Sequence, residues 1–185
     1  DKLKNDGIDC SPSEKCDSAV ILNSNVPISE LSPLHDGLCF VQDEASQIST
    51  EALGASRGET VMDICSCPGS KSFGAALSME NEGKLFGLDL SKSKLPRISS
   101  GADKLGISII TAETHDGREF LPEFEGKADR IICDVPCSGF GVVAKKPDIR
   151  YKDISQAEGL PKIQYEILET ASRYLKVGGV MIYST

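Results

Sequence analysis

The chain has 185 residues, 39% of them hydrophobic, which suits one core of ordinary size and predicts one main domain of roughly 150 residues. No apolar run approaches the roughly 18 residues needed to span a bilayer and no secretory signal opens the sequence, so no membrane partner is expected; seven cysteines, an odd number without framework spacing, point to an intracellular, reducing compartment. The net charge of −8 repels nucleic acid, so any contact with a polyanion has to come from a local patch or from other parts of a longer protein.

Residues 1–36 are rich in Ser, Asn, Asp and Pro and hold one apolar run, Ala19-Val20-Ile21-Leu22; they read as a connecting segment with one strand, the tail of something larger. From Asp43 to Leu53, the residues Ala45, Ile48, Ala52 and Leu53 recur at helical spacing, and Gly54 suits a stop. The pattern continues with strand 61–65, helix 70–79, strand 84–90, helix 92–105, strand 107–111, strand 130–134, helix 161–175 and, after Gly178-Gly179, strand 180–183. Five strands with helical crossovers predict an α/β fold with a parallel, doubly wound sheet. Val180, Met181 and Ile182 read as buried on both faces, which is at odds with a bare edge. The chain is therefore expected to be a fragment that lacks both ends of a larger protein.

Two loops carry the chemistry. The apolar run Ile131-Ile132-Cys133 leads into Asp134-Val135-Pro136-Cys137-Ser138-Gly139, which sets a carboxylate and a thiol at the mouth of a strand, where open α/β folds bind ligands. Cys137 alone reads as a buried structural thiol, and it is Asp134 and Pro136 beside it that turn the reading to a reactive one. The segment Asp63-Ile64-Cys65-Ser66-Cys67-Pro68-Gly69-Ser70-Lys71-Ser72 has the same layout and runs into a helix, aiming backbone N–H groups and a positive dipole end at an anionic or carboxylate-bearing ligand. It lacks the glycine spacing of dinucleotide folds and of the P-loop, and a plain tight turn is the alternative. Asp89, ending the next strand, suits both hydroxyls of a ribose, or caps the helix that follows. Asp116-Gly117-Arg118 offers a carboxylate to an adenine amino group, or is simply a turn. Cys65-x-Cys67 and Cys133-x-x-x-Cys137 lack the paired spacing of zinc sites, so no metal is expected.

Together these motifs, with Leu175-Lys176-Val177-Gly178-Gly179 and Tyr183-Ser184-Thr185, resemble the Nol/Nop/Sun family of S-adenosylmethionine-dependent RNA cytosine-5 methyltransferases. Lys146-Pro147-Asp148-Ile149-Arg150-Tyr151 and Gln164-Tyr165-Glu166-Ile167-Leu168 look most like the Sun (RsmB) branch, which modifies small-subunit ribosomal RNA. The resemblance implies a Rossmann-like methyltransferase domain over residues 37–185, truncated after its fifth strand, and makes residues 1–36 a linker or the tail of an amino-terminal RNA-binding region. It further implies that Cys65, Ser66, Cys67, Pro68, Gly69, Ser70 and Lys71 wrap the methionine end of the cofactor, that Asp89 holds the ribose and Asp116 the adenine edge, and that Asp134 sits between cofactor and cytosine. Cys67 stands where the family usually has Ala, Ser70 where it has Gly, and His115 where it has Gly.

The implied reaction explains the thiols. Carbon 5 of cytosine is a poor nucleophile until a thiolate adds at carbon 6, and a free Cys with a pKa near ~8.5 needs a site that favours thiolate. Asp134, when protonated or sharing a proton, would hydrogen-bond ring nitrogen 3 and stabilise the adduct. In the family the nucleophile is a Cys directly after the Ser-Thr of the fifth strand, and the Pro-Cys thiol helps release the product. Cys137 then has the helper's role, and this chain is expected to bind S-adenosylmethionine without turning over. Lys145, Lys146 and Arg150, with Lys152 and Tyr151, form a basic, aromatic-bearing stretch able to grip RNA phosphates and stack a base; diluted by Asp148 and Asp153, it also reads as a solvated loop. Two alternatives stand beside this reading: a methyltransferase acting on another acceptor, and a non-catalytic cofactor-binding scaffold in ribosome assembly.

Overall fold

The computed structural model describes residues 2–23, 25–143 and 146–185. After a short helix α1 (Lys2–Asn5), strands β1 (Cys10–Pro12) and β2 (Val20–Leu22) pair antiparallel, so the amino-terminal segment holds a small hairpin where one strand was expected. Short helix α2 (Ser32–His35) and helix α3 (Glu44–Leu53) follow. The hairpin rests on α3: Ser13 Oγ donates to Glu44 at 2.8 Å, Lys15 reaches the same carboxylate at 3.3 Å, and Cys16 is buried between them.

The main sheet comprises β3 (Thr60–Asp63), β4 (Lys84–Asp89), β5 (Ile110–Thr114), β6 (Ala128–Asp134) and β7 (Leu175–Ser184), all parallel, in the order β5-β4-β3-β6-β7. The chain steps outward from β3 to β5, then returns to lay β6 on the other side of β3. That reversal opens a crevice beyond the carboxyl ends of β3 and β6, the place where sheets of this kind take ligands.

Both faces are covered, as parallel strands require. Helices α4 (Ser70–Ser78) and α5 (Leu95–Lys104) join α3 on one face, where Leu53, Phe73, Met79 and Ile98 pack against Val61 and Ile132. Helix α6 (Leu160–Tyr174) covers the other face, where Ile167, Ala171 and Tyr174 meet Met62, Ile131 and Cys133. The alternation of Val61 with Met62, and of Ile131 with Ile132, follows from the two-residue repeat of a strand.

Three boundaries differ from the sequence reading. The third strand begins at Ile110 because Ile107 belongs to the end of α5: its N–H bonds to Ala102 O at 2.9 Å, Gly106 N–H bonds to Asp103 O at 3.1 Å, and Gly106 takes a φ of +69°. This is a Schellman stop with a buried Ile as its hydrophobic partner, so the apolar signal at Ile107 comes from a cap. Helix α5 starts only at Leu95, with Pro96 in its first turn, after a 3₁₀ turn Lys92–Lys94. Strand β7 starts at Leu175, and residues 176–179 bulge out between the pairs Ala128–Leu175 and Arg130–Val180. The Gly178 turn thus lies inside the strand, at a φ of +84°.

The expected two-sided burial of β7 is met in part: Ile182 packs against one core and Met181 against the other, both partly buried. Val180 is 37% exposed and Tyr183 44%, because among the described residues β7 has a strand neighbour only in β6.

Candidate active site

Asp63 ends β3 and is 1% exposed. Ser72, one turn into α4, donates its hydroxyl to Asp63 Oδ2 at 2.6 Å and lies 2.8 Å from Ser66 Oγ, while Asp63 Oδ1 has no partner. Burial pushes the Asp63 carboxyl up to about 7; the Ser72 hydrogen bond and the Lys71 ammonium pull the other way, and the Asp134 carboxylate adds to the rise. The loop between them turns through a cis Cys67-Pro68 bond to Gly69, at a φ of +107°. A Cβ on Gly69 would lie 2.5 Å from the Phe73 ring, so the residue is held to glycine by both backbone and space. No side chain caps α4, which leaves the N–H groups of its first turn turned towards the crevice.

Asp89 stitches two of the loops together. Its Oδ2 accepts from Cys67 N–H at 3.3 Å and its Oδ1 from Ser91 N–H at 2.9 Å, with the Lys94 ammonium at 3.9 Å. His115 N–H bonds back to Asp89 O at 3.0 Å, which brings the Asp116 turn alongside. Asp116 is clasped by Arg118, whose guanidinium donates at 2.6 to 3.2 Å and holds the carboxyl below its usual range. These two residues line a groove of about 310 Å³ with Glu119, Glu166, Glu169 and Thr170. The groove lies against α6, and Gly69 does not line it.

Across the crevice, Asp134 ends β6 and accepts two hydrogen bonds, from Lys71 Nζ at 2.7 Å on Oδ2 and from Ser184 Oγ at 2.6 Å on Oδ1. Lys71 is largely buried, with a side chain 11% exposed, and so is charge-paired where water is scarce. Val135 N–H still pairs with Ser184 O at 3.0 Å, the last rung between β6 and β7. Cys137 follows two residues later and is exposed. The thiols of Cys65 and Cys133 differ from it: burial, reinforced by the Asp63 carboxylate, pushes both up to about 12, which makes them inert neutral groups at pH 7. Burial also raises the Cys67 thiol, with the Asp89 carboxylate adding to it.

The basic stretch follows this loop. Lys146 and Arg150 are exposed, and Arg150 stacks over the Tyr151 ring at 5.3 Å; Lys145 lies outside the described residues. Lys152 Nζ donates to Ser138 O at 3.2 Å, tying the stretch to the Cys137 loop. Among the described residues, no group of His, Cys, Asp or Glu has the arrangement to hold a metal ion.

The structure therefore gathers Asp63, residues 65–71, Asp89, Asp134 and Cys137 along one edge of the sheet, with Asp116 beside Asp89. Three contributors have no role that residue type alone assigns: Ser72, Ser184 and Gln164. Ser184 and Gln164 sit 50 and 28 positions from the groups they bond, Asp134 and Pro136, and no local spacing signals such pairs.

Comparison with known proteins bears on the same region. Residues 50–185 match the family described as 16S rRNA methyltransferase RsmB/F. The chain is 39% identical over 187 residues to the probable ribosomal RNA small subunit methyltransferase B of Bacillus subtilis, an alignment covering 100% of this chain and 42% of that protein. It is 30% identical to the 28S rRNA (cytosine-C(5))-methyltransferase of Mus musculus, over 99% of this chain and 24% of the relative. The crystal structure of NSun6 from Pyrococcus horikoshii, solved with SFG, superposes with a TM-score of 0.77 at 27% identity, covering 85% of this chain and 40% of that one. The chain thus spans less than half the length of these relatives.

Proposed function

Since the chain belongs to the RsmB/F family of 16S rRNA methyltransferases, we propose that it forms the catalytic centre of an enzyme that moves a methyl group from S-adenosylmethionine to carbon 5 of a cytosine in ribosomal RNA. The observation that carries this reading is the pairing of Asp134 with Lys71 and Ser184 at the switch point of the sheet, two residues before an exposed Pro136-Cys137.

The residues present fit the cofactor. Asp63 keeps a buried, unpartnered carboxylate oxygen beside the crevice, an acceptor that a cationic group would satisfy. The glycine-only backbone at Gly69 and the uncapped first turn of α4 suit the close approach of a carboxylate. Residues 65–71 would hold the methionine end, Asp89 the ribose and Asp116 the adenine edge. When bound, the cofactor supplies an electrophilic sulfonium methyl. A solved relative carrying the S-adenosylmethionine analogue SFG supports this class of cofactor.

The chain's own groups handle the base. Asp134, fixed on two sides, is placed to engage the pyrimidine edge while Lys71 balances its charge in a partly dry site. A thiolate adds at carbon 6, carbon 5 takes the methyl, a base removes the carbon 5 proton, and the thiolate leaves as the 5,6 double bond returns. Cys137 is the exposed thiol of this edge and takes the part of the group that releases the product. The loop thiol is reachable only by a cytosine that is unpaired or flipped out. Lys146 and Arg150 would contact phosphates, and the exposed Tyr151 ring would stack a base. The seven free thiols suit a reducing intracellular compartment.

The test is Cys137→Ala in the full-length protein, assayed on ribosomal RNA. Turnover should fall steeply while a covalent protein–RNA adduct accumulates on denaturing gels. Unchanged turnover without adduct would overturn the cytosine reading in favour of an acceptor that needs no thiol.

A further inference from the structure

Strands β6 and β7 run side by side as far as the rung from Val135 N–H to Ser184 O. Beyond it, among the described residues, no backbone bond joins the turn through Pro136 to Thr185, which leaves a gap between the Cys137 loop and the end of β7. The gap is bridged by the side-chain amide of Gln164. Its Nε2 donates to Pro136 O at 2.9 Å and to Thr185 Oγ1 at 3.0 Å. The direction is dictated by the partner: a proline carbonyl only accepts, so the amide has to present its nitrogen.

Gln164 has no other evident reason to be polar. It is the fifth residue of α6, three and seven positions before Ile167 and Ala171, so it continues the stripe that α6 lays on the sheet. At this point the stripe runs off the carboxyl edge, and the side chain meets backbone in place of core.

We infer that Gln164 is a positioning residue that sets the separation between the Cys137 loop and the end of β7, tying the two segments together where their backbones no longer bond. The inference rests on the function proposed above and deepens it. The amide touches neither cofactor nor base; it acts through the carbonyl of Pro136, one bond from the Cys137 backbone. Asp134 and Val135 are held by Ser184, and Ser138 by Lys152, so Gln164 supplies the middle tie of the loop. Two N–H donors on one atom, at this reach, are what Gln provides. Glu of the same length cannot donate when ionised, and Asn is one methylene short.

The experiment uses the full-length protein with ribosomal RNA and S-adenosylmethionine and compares wild type with Gln164→Glu and Gln164→Met. Both substitutions keep the length of the side chain at a partly exposed site, so the fold should persist. A misplaced loop should lower kcat by roughly 10–100-fold, leave cofactor affinity by calorimetry within about twofold, and let a covalent protein–RNA adduct build up. For Gln164→Glu the deficit should shrink as pH falls from 7 to 5, since a protonated carboxyl regains one donor, whereas the Gln164→Met deficit should not. Wild-type kcat without adduct in both variants would overturn the inference, as would a lowered Tm with kcat unchanged. Failure of the wild type itself to give 5-methylcytosine or adduct would overturn the functional reading, and the inference with it.

Discussion

The same strands behave differently at their two ends. At the amino edge of the sheet several charges close on neighbours: Glu59 grips Arg130 at 3.0 to 3.2 Å, Asp129 accepts from Thr60 N–H at 2.9 Å and from Lys176 at 2.7 Å, and Arg57 pairs with Glu80 and Glu82. At the carboxyl edge Asp63 keeps an oxygen without a partner, and Asp134 divides itself between Lys71 and Ser184 in a crevice open to solvent. The amino edge closes the sheet with self-satisfied pairs. The carboxyl edge leaves one buried oxygen of Asp63 without a partner among the described residues, a cost in stability of the kind that functional sites accept.

The largest effect should come from breaking the carboxyl edge. Asp134→Asn keeps the shape of the side chain but removes the charge that Lys71 and Ser184 address; in the full-length protein kcat should drop by about 10²–10³-fold, with the circular dichroism spectrum little changed and the urea midpoint lowered, because the largely buried Lys71 ammonium loses its counter-charge. A drop of less than threefold would remove Asp134 from the chemistry.

A smaller effect should show in the pH dependence of stability. The unfolded chain releases the Asp63 proton near pH 4, whereas the folded chain holds it until about 7. Between those values the folded state carries the extra proton, so the free energy of unfolding falls as pH rises through the window. Each unit of such a difference corresponds to about 1.4 kcal/mol, which bounds the whole slope at about 4 kcal/mol. Asp63→Asn should flatten the urea midpoint between pH 4 and 7. A midpoint for the wild type that rises across this range would contradict the buried, proton-holding carboxyl.

The smallest effect belongs to the amino edge. Glu59→Gln weakens a partly exposed ion pair and should cost about 1 kcal/mol or less in urea unfolding, with methyl transfer unchanged. If this substitution lowered kcat as much as Asp134→Asn does, the division between the two edges would be wrong.

Much of the site is legible in the sequence. The loops after β3 and β6 announce themselves because Pro and Gly interrupt apolar runs at the point where a strand must turn, and the carboxylates Asp63, Asp89 and Asp134 end their strands. Sequence and fold part company where one residue serves two levels of structure. Ile107 carries the apolarity of a strand yet packs as a helix stop, and Gly178 reads as a turn yet sits in a strand bulge. The hairpin at residues 10–22 leaves little trace because β2 is exposed along its length and lacks the alternation that marks a half-buried strand.

The sequence by itself determined the fold class, the two loops and the family, since these depend on residue type and spacing along the chain. The tertiary structure decided the partners: that Lys71 faces Asp134, that Ser72 meets Asp63, and that Gln164 spans Pro136 and Thr185. The physical reason is that strand order β5-β4-β3-β6-β7 sets β3 against β6 across more than sixty residues of intervening chain, and side chains brought together that way leave no periodic trace in the sequence.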